Sequence, residues 1–255
     1  MTEQPTRIRT KAEEALARHF AALAGDDPMR DIRATAFDAF MESGLPHRRV
    51  EAWKYTDLRA LMRDAPGPAA PASPADAKSA LARADVFGGI DRARIVFANG
   101  HFVPSLSDMK GIETDLDFAS LGRFLADGGA ILDRTLDAAE APIFALNSAF
   151  VRDGAVLKIR DGAKLARPLE IVTIFAGQEA GLQTLRHQVS IGQGAKATIL
   201  QTHSGPEGVA YQTNAVTEMQ IGDGANVRWV SVQEEGSEAI HLSLILARLG
   251  GGVRF

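Results

Sequence analysis

The sequence predicts a mainly β protein, with a parallel β-helix core preceded by an N-terminal α-helical region. Three observations carry this. First, the signature Ile159-Arg-Asp-Gly162-Ala163 recurs as Ile191-Gly-Gln-Gly194-Ala195, Ile221-Gly-Asp-Gly224-Ala225 and Leu249-Gly-Gly-Gly252-Val253. Its glycines lie 32, 30 and 28 residues apart, in the range of units that stack into solenoids. Second, stepping back by twos from each anchor gives in-register positions: Leu157, Val189, Met219 and Ala247, then Ala155, His187, Thr217 and Ile245. A parallel β-helix stacks like positions in this way, one strand spacing apart. Third, the first sixty residues have a helical period instead.

In chain order, Ile8, Ala12, Leu16, Phe20 and Leu23 recur at three- and four-residue steps and predict an amphipathic helix. Gly25-Asp26-Asp27-Pro28 is a stop signal. A second helix carries Ile32, Ala36, Phe37, Phe40 and Met41 and closes at Ser43-Gly44-Leu45-Pro46. Pro66, Pro68, Pro71 and Pro74 then remove backbone donors and favour an extended path. Asn99-Gly100 between Arg94-Ile-Val-Phe-Ala98 and His101-Phe-Val-Pro104 is a hairpin signal, because a two-residue turn needs positive φ. Residues from about 117 to 151 read as mixed helix and loop. These signals divide the chain into a helical region at 1–63, a poorly ordered Pro/Ala-rich linker or loop at 64–77, a mixed α/β connecting region at 78–150 and β-helix coils at 151–255, incomplete at that end.

Composition excludes several functions. The net charge of −4 provides no global basic field for nucleic acid or anionic lipid. With no cysteine, the chain has neither a disulfide nor thiolate ligands for an iron–sulfur cluster. No apolar run approaches the ~18 to 20 residues of a membrane span, and the first residues lack the apolar stretch of a secretory signal. The expected compartment is the cytoplasm.

Each candidate for chemistry has a plainer explanation. The six histidines, His19, His47, His101, His187, His203 and His241, show no metal-site spacing. His187 falls on the inward ladder and is expected to be a buried imidazole bonded to Thr217 on the next rung. Asp161 and Asp223 share a turn position, but Gln193 stands between them, which puts the carboxylates roughly 10 Å apart, beyond glycosidase pairs. The outer row Lys158, Ser190, Gln220 and Arg248 has no carboxylate. No phosphate-binding G-x-x-x-x-G-K-[ST] motif occurs, nor a serine-nucleophile motif. The cations and aromatics of Arg48-Arg49-Val50-Glu51-Ala52-Trp53-Lys54-Tyr55-Thr56 are expected to form a packing element that buries Trp53 and Tyr55.

That run is also the most specific part of the chain. Gly44-Leu-Pro-His-Arg-Arg-Val-Glu-Ala-Trp-Lys-Tyr-Thr-Asp-Leu58 resembles the Gly-Leu/Phe-Pro-x-x-Arg-x-Glu-x-Trp-Lys-Tyr-Thr-x-Leu segment of the SufB/SufD family. The likeness continues in Ile95-Val-Phe-Ala-Asn-Gly-His-Phe102, in Phe144-Ala-Leu-Asn-Ser-Ala-Phe-Val-Arg-Asp-Gly154 and in the coil repeats, and is nearer SufD than SufB. The resemblance implies a right-handed parallel β-helix and a C-terminal helical domain. It also implies a complex with a SufB-like paralogue and a SufC-like ABC ATPase, which assembles an iron–sulfur cluster where the two paralogues meet. On this reading the chain is a scaffold subunit without catalysis. It carries no catalytic, cofactor-binding or metal residue and holds no cluster alone.

The sequence departs from the family pattern at Leu249-Gly-Gly-Gly-Val-Arg-Phe255, just inside a new coil. The expectation is a truncation that lacks the family's junction histidine and its ATPase-docking helices. Leu244, Ile245, Leu249 and Phe255 would then form a sticky end that favours self-association. The competing readings are a β-helix carbohydrate-active enzyme and a repeat-built adaptor unrelated to iron.

Overall fold

A computed structural model describes residues 8–23, 29–130 and 141–255. Among them the helices are α1 (Lys11–Ala21), α2 (Arg30–Ser43), α3 (Leu58–Leu61), α4 (Pro74–Arg83), α5 (Leu121–Ala126) and α6 (Pro142–Phe150). The strands are β1 (Ala93–Ala98), β2 (His101–Phe102), β3 (Leu116–Ser120), β4 (Ala155–Ile159), β5 (Leu169–Ile174), β6 (Leu182–Ile191), β7 (Lys196–Ser204), β8 (Gln212–Ile221), β9 (Asn226–Glu234) and β10 (Ile240–Leu249). The chain divides into two compact units, Met1–Gly67 with Thr135–Phe150, and Pro68–Arg134 with Val151–Phe255.

The first unit is helical. Thr10 caps α1 through a reciprocal pair, its hydroxyl accepting from Glu13 N–H while Glu13 accepts from Thr10 N–H. Glu13 is fully buried, and its other oxygen accepts from Leu45 N–H at 2.8 Å, so the buried carboxylate is satisfied. Ile8 lies before the cap and is exposed; Ala12, Ala15 and Leu16 form the buried face of α1. Gly44 closes α2 at φ +69°, as the stop signal there predicts. The stop signal at 25–28 lies outside the described residues. The core is aromatic: Phe20 stacks on Phe37 at 4.0 Å, and Phe150 meets both rings edge-on at 5.9 and 6.1 Å. Phe150 ends α6, so a helix far along the chain completes a core the first two helices cannot close.

The second unit is a parallel β-solenoid. One sheet has the order β10-β8-β6-β4-β3 and the other β2-β1-β5-β7-β9. Each coil gives one strand to each sheet, joined by a glycine turn. Leu157, Val189, Met219 and Ala247 stand in register, as do Ile159, Ile191, Ile221 and Leu249. The second sheet repeats the device, with Leu169, Ile199 and Trp229 aligned. Gly162, Gly194, Gly224 and Gly252 all lie at φ between +67° and +69°, a region costly for side chains with a Cβ. Asn99 and Gly100, at φ +52° and +81°, form the predicted hairpin, pairing Ala98 with His101.

Two boundaries differ from the sequence reading. The solenoid includes β1, which runs parallel to β5 along its whole length, so coil structure begins near residue 93 rather than 151. The glycine signature that marks the later coils is absent there, because β1 ends in the Asn99-Gly100 hairpin. The 64–77 stretch is ordered rather than a loose linker. Pro68 bridges Leu182, Ala70 O accepts from Asn99 Nδ2, and Ser73 caps α4 with Pro74 in its first turn. Pro at that position starts a helix, because its missing N–H is one the helix leaves unpaired there. Through Ala77, Ala80 and Ala84, α4 covers Val96, Val172 and Ile174 on the outer face of the second sheet.

Candidate functional site

The coil interior changes character along each strand. Beside the glycine turns it is aliphatic; toward the opposite loops period two brings Gln183, His187, Thr213 and His241 inward from one sheet and Thr173, Gln201 and His203 from the other. A hydrogen-bonded chain crosses this polar end. Gln183 Nε2 donates to Thr213 Oγ1 at 2.9 Å, and that hydroxyl donates to Glu235 Oε1 at 2.8 Å. Gln233 Nε2 donates to Glu235 Oε2 at 3.0 Å, and His241 Nδ1 stands 2.6 Å from the same oxygen in an ion-pair contact. The His203 ring meets His241 edge-on at 4.6 Å. Burial raises the Glu235 carboxyl pKa, but His241 and Thr213 outweigh it and hold the carboxyl below its usual range. His203, 2% exposed, is pushed down to about 3 by burial, with His241 adding to the effect. Among the described residues its Nδ1 meets no hydrogen-bond partner, nor do Thr173 Oγ1 and Gln183 Oε1. Sequence reading missed this cluster because the histidines lie on different coils and Glu235 in a loop; period two counted from the glycine anchors was the available signal.

His187 is fully buried on the inward ladder, as predicted, but its partner differs. Its Nδ1 accepts from Ala155 N–H at 3.0 Å on the preceding rung, and not from Thr217. A backbone N–H at the start of β4 faces the ring and leaves the proton on Nε2. Burial lowers its pKa to about 4, so the imidazole is neutral near pH 7. Asp161 and Asp223 are turn staples: Asp161 Oδ1 accepts from Gln193 N–H at 2.8 Å and Asp223 Oδ1 from Gly251 N–H at 2.7 Å, each reaching the next coil. Lys158, Ser190, Gln220 and Arg248 form the outer row of an open groove of about 800 Å³ that also takes in both aspartates. Its carboxylates are engaged with backbone, which disfavours a glycosidase pair.

On the outer face of the second sheet a buried carboxylate is neutralised instead. Glu170, 1% exposed, accepts from Arg92 Nε at 2.5 Å, Arg94 Nε at 3.1 Å and Thr202 Oγ1 at 2.7 Å. Sequence reading passed over it, although a charge inside Leu169-Glu170-Ile171-Val172 opposite Arg-Ala-Arg was a visible cue. The 48–56 run departs from expectation. Tyr55 is 92% exposed and Trp53 only half-buried, because the turns there bury the flanking Leu45 and Leu58 instead. Among the described residues no group of three or more His, Cys, Asp or Glu is placed to hold a metal ion. No described helix is long and apolar enough to cross a membrane.

Comparison with known proteins agrees with this architecture. Residues 10–171 match the SufBD protein N-terminal region, and residues 173–255 match the SufBD core domain of SUF system FeS cluster assembly. The chain is 25% identical over 210 residues to the iron–sulfur cluster assembly protein SufD of Escherichia coli, covering 80% of this chain and 46% of that protein. It is 24% identical over 244 residues to an iron–sulfur cluster assembly SufBD family protein of Synechocystis, covering 90% of this chain and 53% of that one. The chain thus spans about half the length of the curated relatives it matches. With both SufBD regions matched end to end on a parallel β-solenoid, the chain belongs to the SufB/SufD family.

Proposed function

We propose that this chain is a SufD-like scaffold subunit of an iron–sulfur cluster assembly complex in the cytoplasm, acting with a SufB-like paralogue and a SufC-like ABC ATPase and catalysing no reaction of its own. The observation that carries the reading is the succession of the two SufBD regions, 10–171 and 173–255, on one chain. The side-chain chemistry supports it. Asp161, Asp223, Glu170 and Glu235 all have intramolecular partners, so none of these four is held ready as a free acid–base pair. The sequence has no cysteine, so thiolates for a nascent cluster come from a partner.

Co-expression of tagged chain with a SufB-like protein and a SufC-like ATPase, followed by affinity purification and size-exclusion chromatography, tests the reading. The expected result is one co-eluting complex. Elution of this chain apart from the other two, whether or not they pair with each other, would overturn it.

A further inference from the structure

Residues 47–57 form a hydrogen-bonded loop in which no side chain is buried. Its base is closed by Leu58 N–H donating to Pro46 O at 3.1 Å. Within it Val50 N–H donates to His47 O, Trp53 N–H to Val50 O, Lys54 N–H to Glu51 O and Thr56 N–H to Trp53 O, at 2.8 to 3.3 Å. Chained turns hold the backbone, yet Arg48, Arg49, Lys54 and Tyr55 are exposed and Val50 is 41% exposed. Lys54 Nζ lies 5.3 Å from the Tyr55 ring centroid. The two ion pairs present, Arg48 with Asp57 at 3.4 Å and Lys54 with Glu51 at 2.7 Å, are solvent-facing and contribute little to stability. Among the described residues no carboxylate pairs with Arg49.

These features suit recognition better than folding. A tyrosine on an ordered backbone has few torsions left to freeze, so burying it against a partner costs little entropy. Tyr, Trp and Arg are also the side chains that dominate binding energy in interfaces. From 48 to 64 the chain holds five cations, Arg48, Arg49, Lys54, Arg59 and Arg63, against Glu51, Asp57 and Asp64. This stretch is positive in a protein whose net charge is −4. A single-stranded nucleic acid would want a succession of exposed stacking rings, whereas here Tyr55 alone of the loop's two aromatic rings is exposed.

We propose that the 47–57 loop docks an acidic protein segment, with an apolar side chain of the partner covering Tyr55 and carboxylates meeting Arg48, Arg49 and Lys54. The inference is independent of the scaffold role, since it rests on exposure and charge alone.

Fluorescence polarisation with a labelled peptide of about twelve residues, rich in Glu and carrying Leu and Trp, tests it, with a Glu-to-Gln version and oligothymidine alongside. The acidic peptide should bind, more weakly as salt rises from about 50 to about 300 mM, and the Gln version poorly. Tyr55→Ala and Arg49→Glu should each weaken binding about tenfold or more with unchanged thermal unfolding, while Arg248→Glu on the coil edge should not. Equal binding of both peptides, insensitivity to the loop variants, or no binding of the acidic peptide would overturn the proposal. Loop-dependent binding of oligothymidine alone would make the loop a nucleic-acid surface instead.

Discussion

Gly194 and Gly224 sit at φ +69° and +68° with open space where a Cβ would project. A substitution there meets a backbone cost rather than a clash. Valine at positive φ is a genuine outlier, so Gly194→Val or Gly224→Val should lose at least about 1 kcal/mol, read as a lower denaturant midpoint. Asparagine, which tolerates this conformation better, should cost less. Both positions were legible in the sequence because φ is a local property. The His203–His241–Glu235 cluster was not, since its members come from β7, β10 and the loop after β9. Burial of His203 there predicts a pH response. The unfolded chain takes up a proton at His203 near pH 6.5, but the folded chain does so only near 3; His187 behaves likewise, near 4. Folding stability should therefore be level above about pH 7 and fall as pH drops from 6.5 toward 4, each histidine contributing at most about 1.4 kcal/mol per pH unit. Chemical denaturation across this range should show a shallower fall in His203→Gln than in the parent. An unchanged slope would mean that His203 is not buried in its neutral form.

At the scale of elements, α4 shows how one residue type carries two meanings. Read as a breaker, the proline run ends structure; placed after the Ser73 cap, Pro74 begins a helix. Only the sheet beneath decides between them, because Ala77, Ala80 and Ala84 are small enough for α4 to lie close on Val96, Val172 and Ile174. Ala77, 1% exposed, should not tolerate enlargement. Ala77→Leu should cost about 1 to 3 kcal/mol by overpacking although leucine is a good helix former, while Lys78→Leu on the exposed side should be close to neutral. Equal melting temperatures for the two variants would return this segment to a loose linker. The β1–β2 hairpin gives the opposite lesson. Asn99-Gly100 foretold it, but nothing local foretold that β1 would add to a sheet whose next strand begins seventy-one residues after Ala98.

At the scale of the molecule, the solenoid's ladders occupy its interior with its own side chains. An iron–sulfur cluster needs thiolates that this sequence does not contain. Anaerobic incubation of the purified chain with iron and sulfide should therefore yield no stoichiometric cluster by absorbance and iron analysis. Addition of a cysteine-bearing SufB-like partner should allow one to accumulate, and a cluster on the isolated chain would contradict the scaffold reading.

The sequence by itself determined the solenoid: the Ile-x-x-Gly-Ala spacing and period-two ladders set which residues stack, and register follows because a one-residue slip turns every inward side chain outward. It also carried the resemblance to the SufB/SufD family, most specifically in residues 44–58. Tertiary structure decided the rest. It chose Ala155 N–H rather than Thr217 as the partner of His187, and joined Glu235 to His241. It surrounded Glu170 with arginines and left Tyr55 in solvent. Each of these depends on which side chains meet across coils or on what lies above a surface. Periodicity specifies the face a residue occupies, while its neighbours there come from distant parts of the chain.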